Sequence, residues 1–288
     1  MQYKIKIPQD FQPCDLATLL ETHWLVPRKV RHFLRMKKNI LINEQLANFH
    51  DTVNAEDIIT LTLEESDYPP YQVTLGDAEK VTVLYEDEQL IIVEKPIKMK
   101  THPNEPGEND TLLNHLAAYL EPYSQLPYVV HRLDKETSGL VLFAKNPFIL
   151  PILGSMLEQK RIKRNYQAII DGQLSPSKIT VNKKIGRDRH DRKKRCIDER
   201  GGQVAITHFS TLEVTPTQSL INCQLDTGRT HQIRVHLLSI GHPIVGDPLY
   251  NPKSKAPRLM LHAYELTLTH PLTNELITAK SQERLYLQ

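Results

Sequence analysis

The sequence predicts an α+β fold, in which a mixed, largely antiparallel sheet with flanking helices follows a small α/β domain. Most of the chain consists of short, strand-sized apolar runs, such as LIIVE at 90–94 and LVLFAK at 140–145. A few helical segments interrupt these runs at irregular intervals, which favours α+β over the regular alternation of a βαβ fold. A polar, proline-containing stretch, SDYPPYQVTLGDAE, separates this region from the N-terminal part of the chain.

That stretch sets the expected domain boundaries. We expect an N-terminal domain over residues 1–64, a linker over 65–77 and a larger domain over 78–288. The chain is long enough to bury a sizeable core.

The N-terminal domain is predicted to contain two helices followed by two short strands. Asp15 is expected to cap the first helix, and Pro27 occupies the favourable first turn of the second. The second helix has an apolar stripe on one face. Its opposite face carries four cations: Arg28, Arg31, Arg35 and Lys38. The strands are NILIN at 39–43 and DIITLTL at 57–63.

The larger domain is predicted to be mostly strands. These are expected at 81–85, 90–94, 128–131, 140–145, 165–170, 219–225 and 261–268. Helices are expected at about 111–120, 147–160 and 229–239, and Gly241 ends the last of them.

Composition excludes several classes of protein. Hydrophobic residues make up 40 % and charged residues 24 %, an ordinary balance for a globular chain, and the formal net charge is only +2. The three cysteines are scattered without CxxC spacing, which argues against a disulfide framework and a structural zinc site. The apolar runs are too short to cross a membrane. We therefore expect a cytoplasmic protein that does not act in a membrane.

The motif HRLDKETSGL, at 131–140, lies between two predicted strands and resembles the active-site motif of the RNA pseudouridine synthases of the RluA and RluD type. Four further blocks in the same order carry the resemblance: EDEQLIIVEKP, KRIKRNYQAI, LDTGRTHQIRVHLLSIGHPIVGDPLY and LHAYELTLTHP. The resemblance implies an enzyme that isomerises a uridine within RNA, with no cofactor and no metal.

Asp134, in the centre of that motif, matches the essential carboxylate of the family. The reaction breaks the C1′–N1 bond, turns the base and joins C5 to C1′, so one carboxylate beside C1′ suffices, as at glycosidase centres. Whether Asp134 attacks the sugar or removes a sugar proton stays open. An isolated aspartate between strands is more often a turn residue, and only the neighbouring blocks favour the catalytic interpretation.

Two further residues match catalytic positions of the family. Tyr166 matches the tyrosine that stacks on the uracil and is thought to remove the proton from C5. Arg234 matches the arginine that pairs with the catalytic aspartate and so orients it. Taken alone, a tyrosine in a strand is usually a core residue.

Other residues are candidates for contact with RNA. Arg132 matches an arginine that occupies the place left by the extruded base, although it could also simply pair with Asp134 or a phosphate. His131 and Arg229 are weaker candidates. The cation-dense segment 183–195 includes Arg192 and Lys193, and in the family a hairpin lies here that closes on RNA.

The N-terminal domain resembles an S4-type RNA-binding domain, with the basic face of its second helix directed at RNA. Two positions depart from the S4 pattern, which has glycine where this chain has Glu44 in the turn after Ile42-Asn43, and again where it has Glu56 before Asp57.

The predicted function is therefore isomerisation of uridines in structured RNA, either ribosomal or transfer RNA, by a monomer. An RNA-binding assembly factor that has lost catalysis is the alternative from another class. The histidines at 231, 236 and 242 do not predict a metal site, because no HExxH motif or carboxylate at ligand spacing accompanies them.

Overall fold

The protein is described by a computed structural model that covers residues 1–64, 68 and 71–287. Its architecture confirms the predicted α+β class and the largely antiparallel sheet. Part of the predicted linker, namely 65–67, 69 and 70, lies outside the described residues. The part that is described packs on the larger domain, where the Tyr71 hydroxyl donates to the carbonyl of Pro127 at 2.9 Å.

The N-terminal domain is a small sheet flanked by helices. Its elements are β1 (Gln2–Lys6), β2 (Cys14–Asp15), α1 (Leu16–Thr18), α2 (Arg28–Met36), β3 (Ile40–Ile42), β4 (Gln45–Leu46), β5 (Thr52–Val53) and β6 (Ile58–Thr62). The antiparallel strand order is β1-β6-β3-β4, and β2 pairs separately with β5. As predicted, Asp15 caps α1, since its carboxylate accepts from the Thr18 N–H at 2.8 Å. A π-helical turn, Leu19–His23, continues from α1.

Glu44 and Glu56 show how this domain departs from the S4 pattern. Their φ angles are 68° and 70°, in the left-handed region where glycine is favoured. The backbone therefore keeps the conformation that glycine would adopt most easily, although glutamate occupies both positions.

The larger domain is built on one long sheet. Its elements are β7 (Thr82–Glu86), β8 (Leu90–Lys95), α3 (Leu112–Leu120), β9 (Tyr128–Val129), β10 (Ser138–Ala144), α4 (Ile149–Glu158), β11 (Lys163–Asp171), β12 (Lys178–Asn182), β13 (Ile185–Arg187), β14 (Arg195–Ile197), β15 (Ile206–Val214), β16 (Gln218–Leu225), α5 (Gln232–Ser239), β17 (Leu261–Thr269) and β18 (Leu276–Lys280). The strand order is β12-β15-β16-β11-β17-β10-β8-β7, with β18 beside β17 and β9 beside β10. The β10–β17 pair is parallel, and the β13–β14 hairpin stands apart.

Two predicted elements are shorter than expected. The strand predicted at 128–131 pairs only at Tyr128 and Val129, because the chain then turns into the HRLD loop. The helix predicted at 229–239 begins at Gln232. His231 has a φ of 60°, which no right-handed helix allows, so the residues before it form a loop.

The long sheet buries a different hydrophobic cluster on each face, because side chains alternate along a strand. On β10, Leu140 and Leu142 join one cluster, whereas Val141 and Phe143 join the other. We call these the first and second faces of the sheet. Helix α4 packs on the first face, and α3 and α5 on the second.

The N-terminal domain packs on the first face of the long sheet. Buried residues of both domains belong to a single hydrophobic cluster, which includes Leu16 and Leu34 as well as Leu140. The ring of Tyr3 stacks on Phe148 at the start of α4, with 5.6 Å between ring centroids. The second face is thereby left for the cleft described below.

Candidate active site

A cleft of about 440 Å³ opens on the second face of the sheet, at the point where β10, β11 and β17 meet. Volumes of this size are typical of small-ligand sites. It is lined by the HRLD loop, the segment 225–234 and side chains of β11. The residues that line it include Arg132, Asp134, Arg164, Tyr166, Arg229, His231 and Arg234. The cleft therefore brings together the three predicted catalytic residues and three of the predicted RNA contacts, His131, Arg132 and Arg229.

Asp134 lies in the loop between β9 and β10, and Thr101 fixes that loop. The Thr101 hydroxyl donates to the Leu133 carbonyl at 3.0 Å and accepts from the Leu133 N–H at 3.1 Å. A turn follows, in which the Thr137 N–H donates to the Asp134 carbonyl at 3.1 Å. These bonds hold the backbone on both sides of the Asp134 side chain.

Lys95, at the end of β8, also stabilises the HRLD loop. Its side chain is fully buried, and its ammonium donates to the carbonyls of Met99 at 2.8 Å and of Lys135 at 3.3 Å. Burial lowers the pKa of Lys95 to about 7, while the carboxylates of Asp134 and Glu136 act in the opposite direction. Because Lys135 follows Asp134 directly, the ammonium holds the HRLD loop against β8.

Arg234, on α5, connects two aspartates. Its Nη1 donates to Asp134 Oδ2 at 3.3 Å, and its Nε and Nη2 donate to the two oxygens of Asp247 at 2.8 and 2.7 Å. Asp247 is fully buried and Arg234 is 2 % exposed. Burial opposes ionisation of Asp247, but hydrogen bonds from Arg234 and from the Tyr250 and Leu249 N–H groups keep the pKa of that carboxyl low. The bidentate pair fixes the guanidinium, which in turn orients Asp134.

Tyr250 links this ion pair to the β13–β14 hairpin. The Arg234 guanidinium lies over the Tyr250 ring, 5.0 Å from its centroid. The Tyr250 hydroxyl accepts from the Arg195 N–H and lies 2.8 Å from His231 Nδ1. The other ring nitrogen of His231 is 3.8 Å from Asp134 Oδ2. A continuous path of contacts therefore runs from the first residue of β14 to the carboxylate.

Tyr166 projects into the cleft from β11 and is 5 % exposed. Burial raises the pKa of the Tyr166 phenol, whereas the nearby cation of Arg164 acts to lower it. The side chain is thus a protonated phenol at neutral pH, with its ring packed in the second-face cluster.

The three predicted RNA contacts near the cleft differ in exposure. Arg132 and Arg229 are exposed at its rim, and Arg229 also donates to the Val204 carbonyl at 3.0 Å. His131 is buried, and its Nε2 accepts from the Leu142 N–H at 3.1 Å. Burial lowers the pKa of His131 to about 3, so the ring is neutral. Its position suits support of the loop better than contact with RNA.

The other predicted RNA contacts lie outside the cleft. Arg192 and Lys193 are exposed at the tip of the β13–β14 hairpin. Arg28, Arg35 and Lys38 are exposed on or just after α2. Arg31 differs from them, because it is partly buried and forms an ion pair with Glu21.

Each of the three histidines considered for metal binding has its own hydrogen-bond partners. His236 contacts the Thr207 hydroxyl and the Lys183 carbonyl, and His242 contacts the Asp171 carbonyl. Among the described residues, Glu94, His262 and Glu283 form the group whose spacing would suit a metal ion. However, Arg258 pairs with Glu283, and the Ser138 hydroxyl binds His262 Nδ1 at 2.8 Å.

Within the described ranges, no helix is long and apolar enough to span a membrane.

Sequence reasoning missed four residues of this site: Lys95, Thr101, Asp247 and Tyr250. Asp247 and Tyr250 both stand in the block GDPLY that carried the family resemblance. A buried partner for Arg234 could have been sought there, since an arginine on an apolar helix needs a counter-charge.

The fold places one oriented carboxylate and one buried tyrosine in the same cleft. Comparison with known proteins identifies the family of the chain. Residues 89–239, more than half of the chain, match the RNA pseudouridylate synthase family, and residues 3–59 match the RluD ribosomal pseudouridine synthase N-terminal domain. The chain belongs to this family and is an RNA pseudouridine synthase.

Individual relatives agree with this. The uncharacterized RNA pseudouridine synthase YhcT of Bacillus subtilis is 38 % identical over 92 % of this chain and 88 % of its own length. Ribosomal large subunit pseudouridine synthase D of Escherichia coli is 34 % identical over 82 % of this chain and 72 % of its own. Human RNA Pseudouridylate Synthase Domain Containing 1 has a similar structure, with a TM-score of 0.58, 26 % identity, and coverage of 72 % of this chain and 85 % of that one. The predicted family and the predicted enzyme class are confirmed.

Proposed function

We propose that this enzyme converts a uridine of large-subunit ribosomal RNA to pseudouridine, with Asp134 as the catalytic carboxylate. The observation that carries the proposal is the chain of contacts from Asp247 through Arg234 to Asp134, in a cleft that also contains Tyr166. The ribosomal target rests on the relatives, several of which are named ribosomal large subunit pseudouridine synthase D.

The reaction needs no net input of atoms or electrons. The C1′–N1 bond breaks, the uracil turns, C5 bonds to C1′, and the proton on C5 moves to N1. Asp134 acts at the sugar, either by attack on C1′ or by removal of a sugar proton. Both roles require a carboxylate held in one orientation, which the Arg234 hydrogen bond and the fixed loop provide.

Tyr166 serves the base rather than the sugar. Its ring offers a face on which the extruded uracil stacks, and its hydroxyl accepts the proton from C5. Because the phenol is protonated, it must give up its own proton as it accepts the one from C5, and the Asp134 carboxylate, whose charge acts on Tyr166, can take that proton before it passes to N1 through solvent. Arg132, exposed at the rim, occupies the place that the flipped base leaves in the RNA.

Two surfaces outside the cleft hold the RNA backbone. They are the hairpin tip with Arg192 and Lys193, and the helix α2 region with Arg28, Arg35 and Lys38. We also propose that residues 1–64 form an S4-like RNA-binding domain. We propose further that the enzyme acts as a monomer in the cytoplasm. Light scattering would test the oligomeric state, and cell fractionation would test the location.

The direct test is Asp134→Asn. We expect the variant to form pseudouridine in an unmodified large-subunit ribosomal RNA transcript at less than about a thousandth of the parent rate. RNA affinity should change less than about tenfold, because phosphate contacts supply most of it.

Asp226→Asn is the matched control, since Asp226 lines the same cleft but pairs with Lys160 at 2.8 Å. It should retain activity within about tenfold of the parent. Product from Asp134→Asn above the stated rate would contradict the assignment of Asp134.

A further inference from the structure

Arg164 is a cation of the cleft that the mechanism above does not use. It lies on β11 two residues before Tyr166, so both side chains point to the same face of the strand and both line the cleft. The side chain is partly buried. Its Nε is buried, and no hydrogen-bond partner for it exists among the described residues. A charged donor in that position lacks an acceptor until something enters the cleft.

Among the described residues, three carboxylates line the cleft with Arg164: two of them are engaged with other cations, and the third, Glu158, is exposed to solvent. Asp134 accepts from Arg234, and Asp226 pairs with Lys160 at 2.8 Å and lies 3.2 Å from His208. Within the described part of the chain, no carboxylate forms an ion pair with Arg164. Among the described residues, the guanidinium therefore has no carboxylate within ion-pair distance.

The loop opposite leaves room for this guanidinium. A Cβ atom on Gly228 would lie 3.0 Å from Arg164 Nη1, closer than such contacts normally are. Gly228 does not have a left-handed φ, so its backbone conformation does not require glycine. A larger residue at this position would therefore require the Arg164 guanidinium to move.

We infer that Arg164 binds a phosphate of the RNA backbone at the flipped nucleotide, an inference that rests on the proposed function. A guanidinium presents two parallel N–H donors that match two phosphate oxygens. A phosphodiester also supplies the negative charge that the cleft lacks at this point, whereas the carbonyls of uracil are neutral. Arg164 would thus hold the sugar–phosphate backbone while Asp134 acts on the same nucleotide.

The test compares Arg164→Gln and Arg164→Lys with Arg284→Gln, which removes an exposed cation whose guanidinium lies over the Tyr264 ring. Affinity for an unmodified large-subunit ribosomal RNA transcript is measured by filter binding between about 50 and 200 mM salt. For Arg164→Gln we expect about tenfold weaker binding and a salt slope that is smaller by about 0.7–0.9. Arg164→Lys should keep the slope, and Arg284→Gln should match the parent in both quantities.

Two results would overturn the inference. An unchanged salt slope with a shifted pH profile of single-turnover rates would mean that Arg164 acts on the acidity of Tyr166 instead. Parent-like affinity, slope and rates would mean that Arg164 has no role in binding.

A second variant covers a failure of Arg164→Gln to fold, which circular dichroism would reveal. Gly228→Val displaces the guanidinium without removing its charge, and it should weaken binding by a similar factor if the inference holds. Parent-like binding by Gly228→Val would contradict it. Failure of the proposed function is seen separately, because the parent enzyme would then form no pseudouridine in this transcript.

Discussion

The two domains differ in what they bury. Among the described residues of the N-terminal domain, one polar residue, Thr60, is buried. The larger domain buries Lys95, His131, Arg234 and Asp247, together with several other polar side chains. The N-terminal domain therefore gains stability from an apolar core and keeps its charges at the surface. The larger domain carries the cost of buried charges, and these are the groups that position its cleft.

This difference indicates where each domain is sensitive to change. A buried hydrogen-bonded charge fixes geometry only while every partner is present, since loss of one leaves the other desolvated and unpaired. An exposed charge can be removed with little effect on folding. Four changes, in order of decreasing effect, test the comparison.

The largest effect is expected from Asp247→Asn, which leaves Arg234 without its bidentate partner. We expect the free energy of unfolding to fall by about 3–5 kcal/mol, and turnover to fall because Arg234 no longer orients Asp134. Urea denaturation measures the first quantity and pseudouridine formation the second. The matched control is Lys6→Gln, which breaks the exposed pair between Lys6 and Glu56 and should cost less than about 1 kcal/mol. Equal losses in the two variants would remove the basis of the comparison.

Tyr166→Phe is expected to affect catalysis without affecting binding. Loss of one general base typically lowers turnover about a hundredfold, while the remaining ring still stacks on the base. Tritium release from RNA labelled at C5 of uridine reports the first effect, and filter binding the second. Arg35→Gln, on the N-terminal domain, should do the reverse and weaken binding while leaving the single-turnover rate unchanged. If Tyr166→Phe releases tritium at close to the parent rate, the tyrosine only stacks on the base and does not transfer the proton.

His131 should make the stability of the larger domain depend on pH. Its folded pKa of about 3 lies below the ordinary value of about 6.5, so the unfolded state binds the proton more readily. Stability is therefore lost as the pH falls from about 6.5 towards 3, and the loss at pH 5 is roughly 2 kcal/mol. Comparison of urea denaturation at pH 7 and pH 5 measures it.

His131→Gln should lose less stability over that interval, because a glutamine oxygen can still accept from the Leu142 N–H. His50→Gln is the control in the N-terminal domain, where the histidine is exposed. If parent and His131→Gln lose stability equally on acidification, His131 does not titrate on unfolding as described.

The smallest expected effect is a gain in stability. Glu44→Gly and Glu56→Gly each relieve a left-handed glutamate, which costs about 1–2 kcal/mol, although glycine returns part of this as unfolded-state entropy. We expect each variant to be more stable by up to about 1 kcal/mol. Glu88→Gly serves as the control, since its φ is not in the left-handed region and it should lose stability. A loss in the first two variants would show that their side chains matter more than their backbone.

Much of this fold could be predicted from the sequence because its evidence is local. The strands β8, β10, β11 and β16 contain continuous apolar runs, and the HRLD motif stands between β9 and β10. Strands β1, β12, β15 and β18 were not predicted, because the prediction relied on continuous apolar runs and these strands alternate polar with apolar residues instead. Such segments become strands through a neighbouring strand that supplies their hydrogen bonds.

The supports of the site could not be predicted for a related reason. Arg234 and Asp134 are one hundred residues apart, and Thr101 meets the HRLD loop only because β8 and β10 are paired. Local periodicity carries no information about such contacts. The family resemblance provided the predicted catalytic residues, whereas the contacts that hold them in place emerged only from the folded arrangement.

The stacking of Tyr3 on Phe148 has a consequence for anyone who wishes to build hybrid enzymes. Because the two domains share one hydrophobic cluster, residues 1–64 are not an interchangeable cassette. A chimera that takes this segment from a relative would join two surfaces that were not selected together, and Phe148 with its neighbours on α4 would lose a matched partner. Transplantation should therefore carry α4 and the first-face residues of β10 along with the N-terminal domain, so that the whole first-face cluster comes from one protein.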